Sequence, residues 1–135
     1  MDKSQIQKDF CLKILEVDKD IRFAAIVDNL GQIAAAEYRE GVLPLLSKQE
    51  LELSVMQEAM RMATRKGMET DLGELIYTFS LYEKVKRATI PLINLVDHIL
   101  VVSFDIKADH ESIILKKILP HLQKYGLYKK IDESR

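Results

Sequence analysis

At 135 residues the chain has the usual size of one domain, long enough to bury about two thirds of the surface it exposes when unfolded. With 47% hydrophobic and 30% charged residues it reads as an ordinary globular protein and not a disordered one, and a net charge of −1 gives no global field for nucleic acid or an anionic membrane. Cys11 is the single cysteine, which excludes an intramolecular disulfide. The longest apolar patch, Ile90 to Val96, carries Pro91 and Asn94 and falls well short of the ~20 residues of a membrane span. The polar start, MDKSQIQKDFC, is unlike a signal peptide, so the expected location is cytoplasmic.

The first segment, SQIQKDFCLKILEV, has helical spacing: Ile6, Phe10, Ile14 and Val17 share a stripe that Cys11 and Leu15 widen. Ser4 with Gln7 fits a capping box. From Ile21 to Val27 a strand period with little polarity on either side predicts a central strand covered on both faces. A second strand runs from Ile33 to Tyr38, and Asn29-Leu30-Gly31 makes the connection a hairpin with a G1-bulge-like turn. A phosphate-gripping loop is excluded there, because one glycine, no lysine and a following strand cannot aim converging helical N–H groups at an anion.

Ser47 with Glu50 forms a capping box for a helix reaching Lys66, with Pro44 outside it. Leu51, Val55 and Met62 cluster on one side of this helix. Leu53, Met56 and Met60 lie nearly opposite, with Ala59 and Ala63 between. Glu52 interrupts the arc, and Glu50, Ser54, Glu58, Arg61 and Arg65 fill the remainder. The apolar arc covers about half the circumference, wider than the ~100° stripe that suffices to sit on a sheet. Two readings stay open: a helix buried in a groove of its own domain, or one stripe on the sheet and the other on a partner. A small domain has little left to cover a second face. The partner reading assigns Leu53, Met56, Ala59, Met60 and Ala63 to a dimer interface.

KGMETDLG reads as a loop. Leu75 to Tyr82 and Arg87 to Leu92 read as a second hairpin about Glu83-Lys84, with Pro91 where its second strand ends. Asn94 to Asp97 connects to a nearly all-apolar, central strand, His98 to Ile106. Asp109 begins a last helix with Ile114, Leu115, Ile118, Leu119 and Leu122 as inward residues, Pro120 as a kink or break and Gly126 as a stop. The expected fold is one domain spanning 1–135, with a folded core over 4–126 and a frayed tail over 127–135.

No constellation carries chemistry. His98, His110 and His121 pair with no other histidine or cysteine at ligand spacing, so neither metal nor cofactor is expected. Cys11 has the apolar context of a buried, inert thiol, and Ser103 sits inside a strand without a nearby base. Asp18/Asp20 and Glu50/Glu52 read as solvated carboxylates. Arg61, Arg65 and Lys66 complement a helix dipole, and they form no nucleic-acid patch with Lys116-Lys117 and Lys129-Lys130. No catalytic residue is assigned, and an enzyme is not expected.

The order is α-β-β-α-β-β-β-α, an α/β (α+β) chain with one five-stranded antiparallel sheet in the order 2-1-5-4-3, because the two least polar strands belong inside. This order, with the hairpin FAAIVDNLGQIAAA, resembles the roadblock / dynein light chain domain, a relative of the profilin-like and longin folds. The chain also looks like a group of archaeal proteins of similar pattern. The roadblock resemblance spans Ser4 to about Gly126. It implies a homodimer or heterodimer, joined through the second helix and the strand after it, that regulates or recruits a small GTPase or serves as a platform. The rival reading is a ligand-sensing domain of the PAS or GAF kind. There Ala24, Ala25, Ala34, Ala35 and Ala36 either leave room over the sheet or let helices approach closely.

Overall fold

Asp2, and not Ser4, caps the first helix of the computed structural model, which describes residues 2–94 and 98–128. Its carboxylate accepts the Gln5 N–H at 2.8 Å, so α1 (Lys3–Glu16) starts earlier than the Ser4/Gln7 pattern predicts. The inward stripe is correspondingly a turn shorter: Cys11, Ile14 and Leu15 are buried, whereas Ile6 is 55% exposed.

Five strands follow in one antiparallel sheet: β1 (Ile21–Val27), β2 (Ile33–Tyr38), β3 (Thr78–Leu81), β4 (Val85–Pro91) and β5 (Ile99–Asp105). The spatial order is β2-β1-β5-β4-β3, as expected from the apolar character of β1 and β5. The β1–β2 register slips between Ile26 and Val27, the predicted bulge, and Gly31 takes φ +79°. Asp28 organises this turn, its carboxylate accepting the N–H groups of Leu30 (2.9 Å) and Gln32 (3.0 Å).

The second hairpin is shorter than predicted. The β3–β4 ladder stops at Thr78↔Thr89, leaving Leu75 to Tyr77 outside the strand. Pro91 does lie at the end of β4, where its missing N–H costs least. The expected loop before β3 contains a short helix, α3 (Glu69–Leu72), and the Glu69 carboxylate accepts the Leu75 N–H at 2.9 Å.

The last helix begins at Asp109 as expected, and then departs from the prediction. It runs as α4 (His110–Ile113), a widened π turn (Ile114–Ile118) and α5 (Leu119–Lys124). Proline cannot donate to the carbonyl four residues back and its ring crowds that carbonyl. The chain meets this by opening the preceding turn, where the Leu119 N–H reaches back five residues to Ile114, so Pro120 neither breaks nor ends the helix. The extra residue rotates the stripe. Ile113 joins Ile114, Ile118, Leu119 and Leu122 inside, and Leu115 turns out. Gly126, at φ +69°, closes the helix with bonds from Gly126 N to Gln123 O (3.0 Å) and from Leu127 N to Leu122 O (2.9 Å). Leu127 and Tyr128 pack on the core, so the docked chain runs past Gly126. The 95–97 part of the Asn94–Asp97 connection, Lys129-Lys130 and the rest of the tail fall outside the described residues.

The sheet has two covered faces. Ala24, Ile26, Ala88, Ile90, Leu100, Val102 and Phe104 meet α1 and the last helix. Phe23, Ala25, Val27, Ile99 and Val101 meet a single helix, α2 (Lys48–Lys66), through Leu51, Val55 and Met62, with Leu46 and Leu75 packed beside it. Ala24 and Ala25 are fully buried on opposite faces, which fits the close-approach reading of the small residues. Arg39 ties the first face together, its guanidinium donating to the carbonyls of Ile21 (2.7 Å), Asp18 (2.8 Å) and Leu15.

Two predictions follow from this framework. A Cβ on Gly31 would come within 3.0 Å of Met56 Cγ in a backbone conformation that L residues disfavour. Gly31→Ala should therefore cost about 1–2 kcal/mol, read as a lowered melting temperature. His110, stacked on Phe79 at 3.8 Å, and His121, beside Tyr125, have pKa values pushed below the ordinary range, chiefly by burial. Their unfolded forms bind protons more readily, so stability should fall as pH drops below about 6.5. The urea midpoint should decline between pH 7 and pH 5, and His110→Gln with His121→Gln should flatten that decline.

Candidate functional site

The Ser47–Glu50 capping box forms as the sequence predicts, Glu50 N donating to Ser47 Oγ (3.1 Å) and Ser47 N to Glu50 Oε1 (2.9 Å). This fixes the rotation of α2. Leu51, Val55 and Met62 are the stripe that covers the sheet. Leu53 (57% exposed), Met56 (42%) and Met60 (65%) face outward, with Ala63 exposed beside them and Ala59 half-buried. The turn at Gly31 touches Met56 from the side, and Leu30 of the same turn is also exposed.

Glu58 corrects the sequence reading. Placed there among the polar remainder of α2, it is buried. Its spacing from Leu51, Val55 and Met62 puts it on the sheet-facing stripe, a signal its charge obscured. One carboxylate oxygen accepts from Arg61 at 2.7 Å and the other from Thr89 at 3.1 Å.

Beside Glu58 the sheet carries a second buried ion. Arg87, on β4, is only 8% exposed, and its guanidinium donates to the Ser54 hydroxyl. Among the described residues no carboxylate comes within ion-pair distance of it, and Glu58 is hydrogen-bonded to Arg61 and Thr89. Burial pushes the Arg87 pKa down, against the nearby charge of Glu58 and the phenols of Tyr82 and Tyr38. Burial likewise raises the Tyr38 phenol, with Arg87 and Arg22 opposing.

Arg87 lies on the floor of a half-open groove of about 580 Å³ between the first half of α2 and the sheet. Phe23, Tyr38, Leu46, Leu51, Tyr82 and Val85 give it apolar walls. Around its rim stand Glu50, Glu83, Arg22 and Lys84, and Ser54 and Ser103 add hydroxyls. The connection from β2 to α2 is held over one end, Arg22 Nη2 donating to the Leu43 carbonyl at 3.4 Å. The sequence reading took Arg87 only as part of a hairpin strand and missed the groove, which depends on β1, β2, the connection to α2, α2 itself, the second hairpin and β5.

The other candidate groups stay apart. Among the described residues no three histidine, cysteine or acidic side chains gather as a metal site, and no helix is long and apolar enough to cross a membrane. Ser103 is buried in β5. Cys11 is fully buried, and desolvation pushes its thiol up to about 12.

A scan against protein-family models finds no match, and no curated protein matches the chain. Solved structures do. MglB from Myxococcus xanthus superposes with a TM-score of 0.68 at 16% identity, covering 98% of this chain and 97% of that one. The gliding protein MglB from Thermus thermophilus gives 0.66 at 14%, covering 93% and 87%. A Roadblock/LC7 domain from Streptomyces avermitilis gives 0.64 at 7%, covering 88% and 96%. At such identities the likeness is one of fold, and the fold is roadblock-like.

The Cys11 environment yields a direct test. A thiol so buried has almost no thiolate at pH 8. Ellman's reagent should react with native protein about a hundredfold or more slowly than with protein unfolded in guanidinium.

Proposed function

We propose that the protein is a non-catalytic interaction domain that works as a homodimer, joined across the outer face of α2, and serves as an adaptor or regulator of a protein partner. The observation that carries this reading is the outward row Leu53, Met56 and Met60 on a helix whose other side already covers the sheet. Ala59 and Ala63 flank the row and let a second backbone come close. Methionine adapts to an irregular partner surface, and burying side chains of this size is worth roughly 1.5–3 kcal/mol apiece.

A second copy is the occupant that the charges favour. The first half of α2 carries Glu50 and Glu52, and the second half Arg61, Arg65 and Lys66. Two-fold symmetry with antiparallel helices sets the acidic half of one copy against the basic half of the other, and counts every apolar contact twice. The edge strand β3, with Leu81 exposed, is a further self-complementary element, because its outer backbone groups are open to pairing. One MglB structure of the same fold is described as having a tetrameric arrangement. That the partner is a small GTPase rests on the resemblance to roadblock domains.

Met56→Glu with Met60→Glu should turn the dimer into a monomer that stays folded, since both side chains are exposed in the single chain. Light scattering with circular dichroism decides it. A wild-type monomer at micromolar concentration, or a double variant that remains dimeric, overturns the assignment.

A further inference from the structure

We infer that the groove between α2 and β4 binds a small apolar carboxylate, held by the Arg87 guanidinium at its floor. A guanidinium presents five N–H donors in a planar fork suited to a carboxylate, and Ser54 engages it from one direction. Burying such a cation without a paired anion is unfavourable, and the neighbouring Glu58 gives its oxygens to Arg61 and Thr89. Arg61 is half-exposed, so the buried ions are Arg87 and Glu58, and the Arg87 guanidinium charge keeps N–H donors that, among the described residues, only the Ser54 hydroxyl engages. That charge faces a cavity of about 580 Å³, a volume within the range of small-molecule sites.

The walls and rim narrow the ligand further. Phe23, Leu51, Tyr38 and Tyr82 suit an apolar or aromatic body. Glu50 and Glu83 balance Arg22 and Lys84 at the mouth, so a ligand with several negative charges meets as much repulsion as attraction outside the floor. One carboxylate on an apolar frame matches both. The inference stands apart from the dimer, because of the outward row Leu53 alone lines the groove.

The probe is 4-phenylbutyrate, with its neutral amide 4-phenylbutyramide as control, in calorimetric and 15N NMR titrations at pH 7. The acid should bind at least about tenfold more tightly than the amide, each good charge-assisted contact being worth a factor of that order. Amide shifts should centre on Ser54, Tyr38, Tyr82 and Arg87. Arg87→Lys, which keeps the charge and loses the fork, should weaken the acid about tenfold and leave the amide unchanged. Met56→Glu with Met60→Glu should bind the acid as wild type does, which separates this site from the dimer. Equal binding of acid and amide, no binding at millimolar concentration, or shifts elsewhere overturns the inference. So does acid binding confined to the monomer, which assigns the groove to a second copy. If Arg87→Lys does not fold, the comparison of acid with amide on the wild type decides alone.

Discussion

β1 and β5 lie side by side and are apolar on both of their faces, so the sheet they centre has to be covered twice. The pairing runs from Ile21↔Phe104 to Val27↔Ile99, with Ala24, Leu100 and Val102 turned to one side and Ala25, Val27 and Val101 to the other. Neither strand survives at an edge, where one row of backbone groups and much of this surface would face water. Their interior position forces the short, more polar strands β2 and β3 to the edges. It also demands helices above and below.

The two coverings are unequal, and the functional features follow from the inequality. One face has α1 and the long final helix, tied by Arg39, and its core is closed. The other has one helix, α2, which reaches the sheet with three apolar side chains and Glu58, and among the described residues only Leu46 and Leu75 add to it from the flanking chain. A single helix cannot span five strands. Where it fails to reach, over β4 and the end of β2, the sheet is left with Arg87 beneath a groove. Where it turns away from the sheet, Leu53 and Met60 stand exposed among the described residues. Groove and row are thus two results of one thin layer.

Strands, order and the α2 cap were legible because they depend on period and on local chemistry. Ser47 and Glu50 are three residues apart, and the twofold alternation of β1 needs no knowledge of its neighbours. The errors fall where a choice is settled from farther away. Asp2 and Ser4 are equivalent caps by local rules, and the structure takes the earlier one. Leu75 to Tyr77 alternate like a strand, but the ladder to β4 has ended by Thr89. Glu58 was misplaced because charge outweighed spacing. Its burial depends on Thr89, thirty-one positions away, and that partner is invisible to a reading of α2 by itself. Arg87 was hidden for the same reason.

The register of β1 against β5 also sets the order in which the chain can acquire structure. Its central ladder joins segments separated by everything between Val27 and Ile99, so the loop that must close is most of the domain. Each hairpin can zip locally, but neither pairs both edges of its own inner strand until β5 arrives between them. On a ribosome, β1 and β2 emerge long before their neighbour does. Folding of such a non-local topology is slow for its size, and the interval leaves apolar strand edges open to other chains.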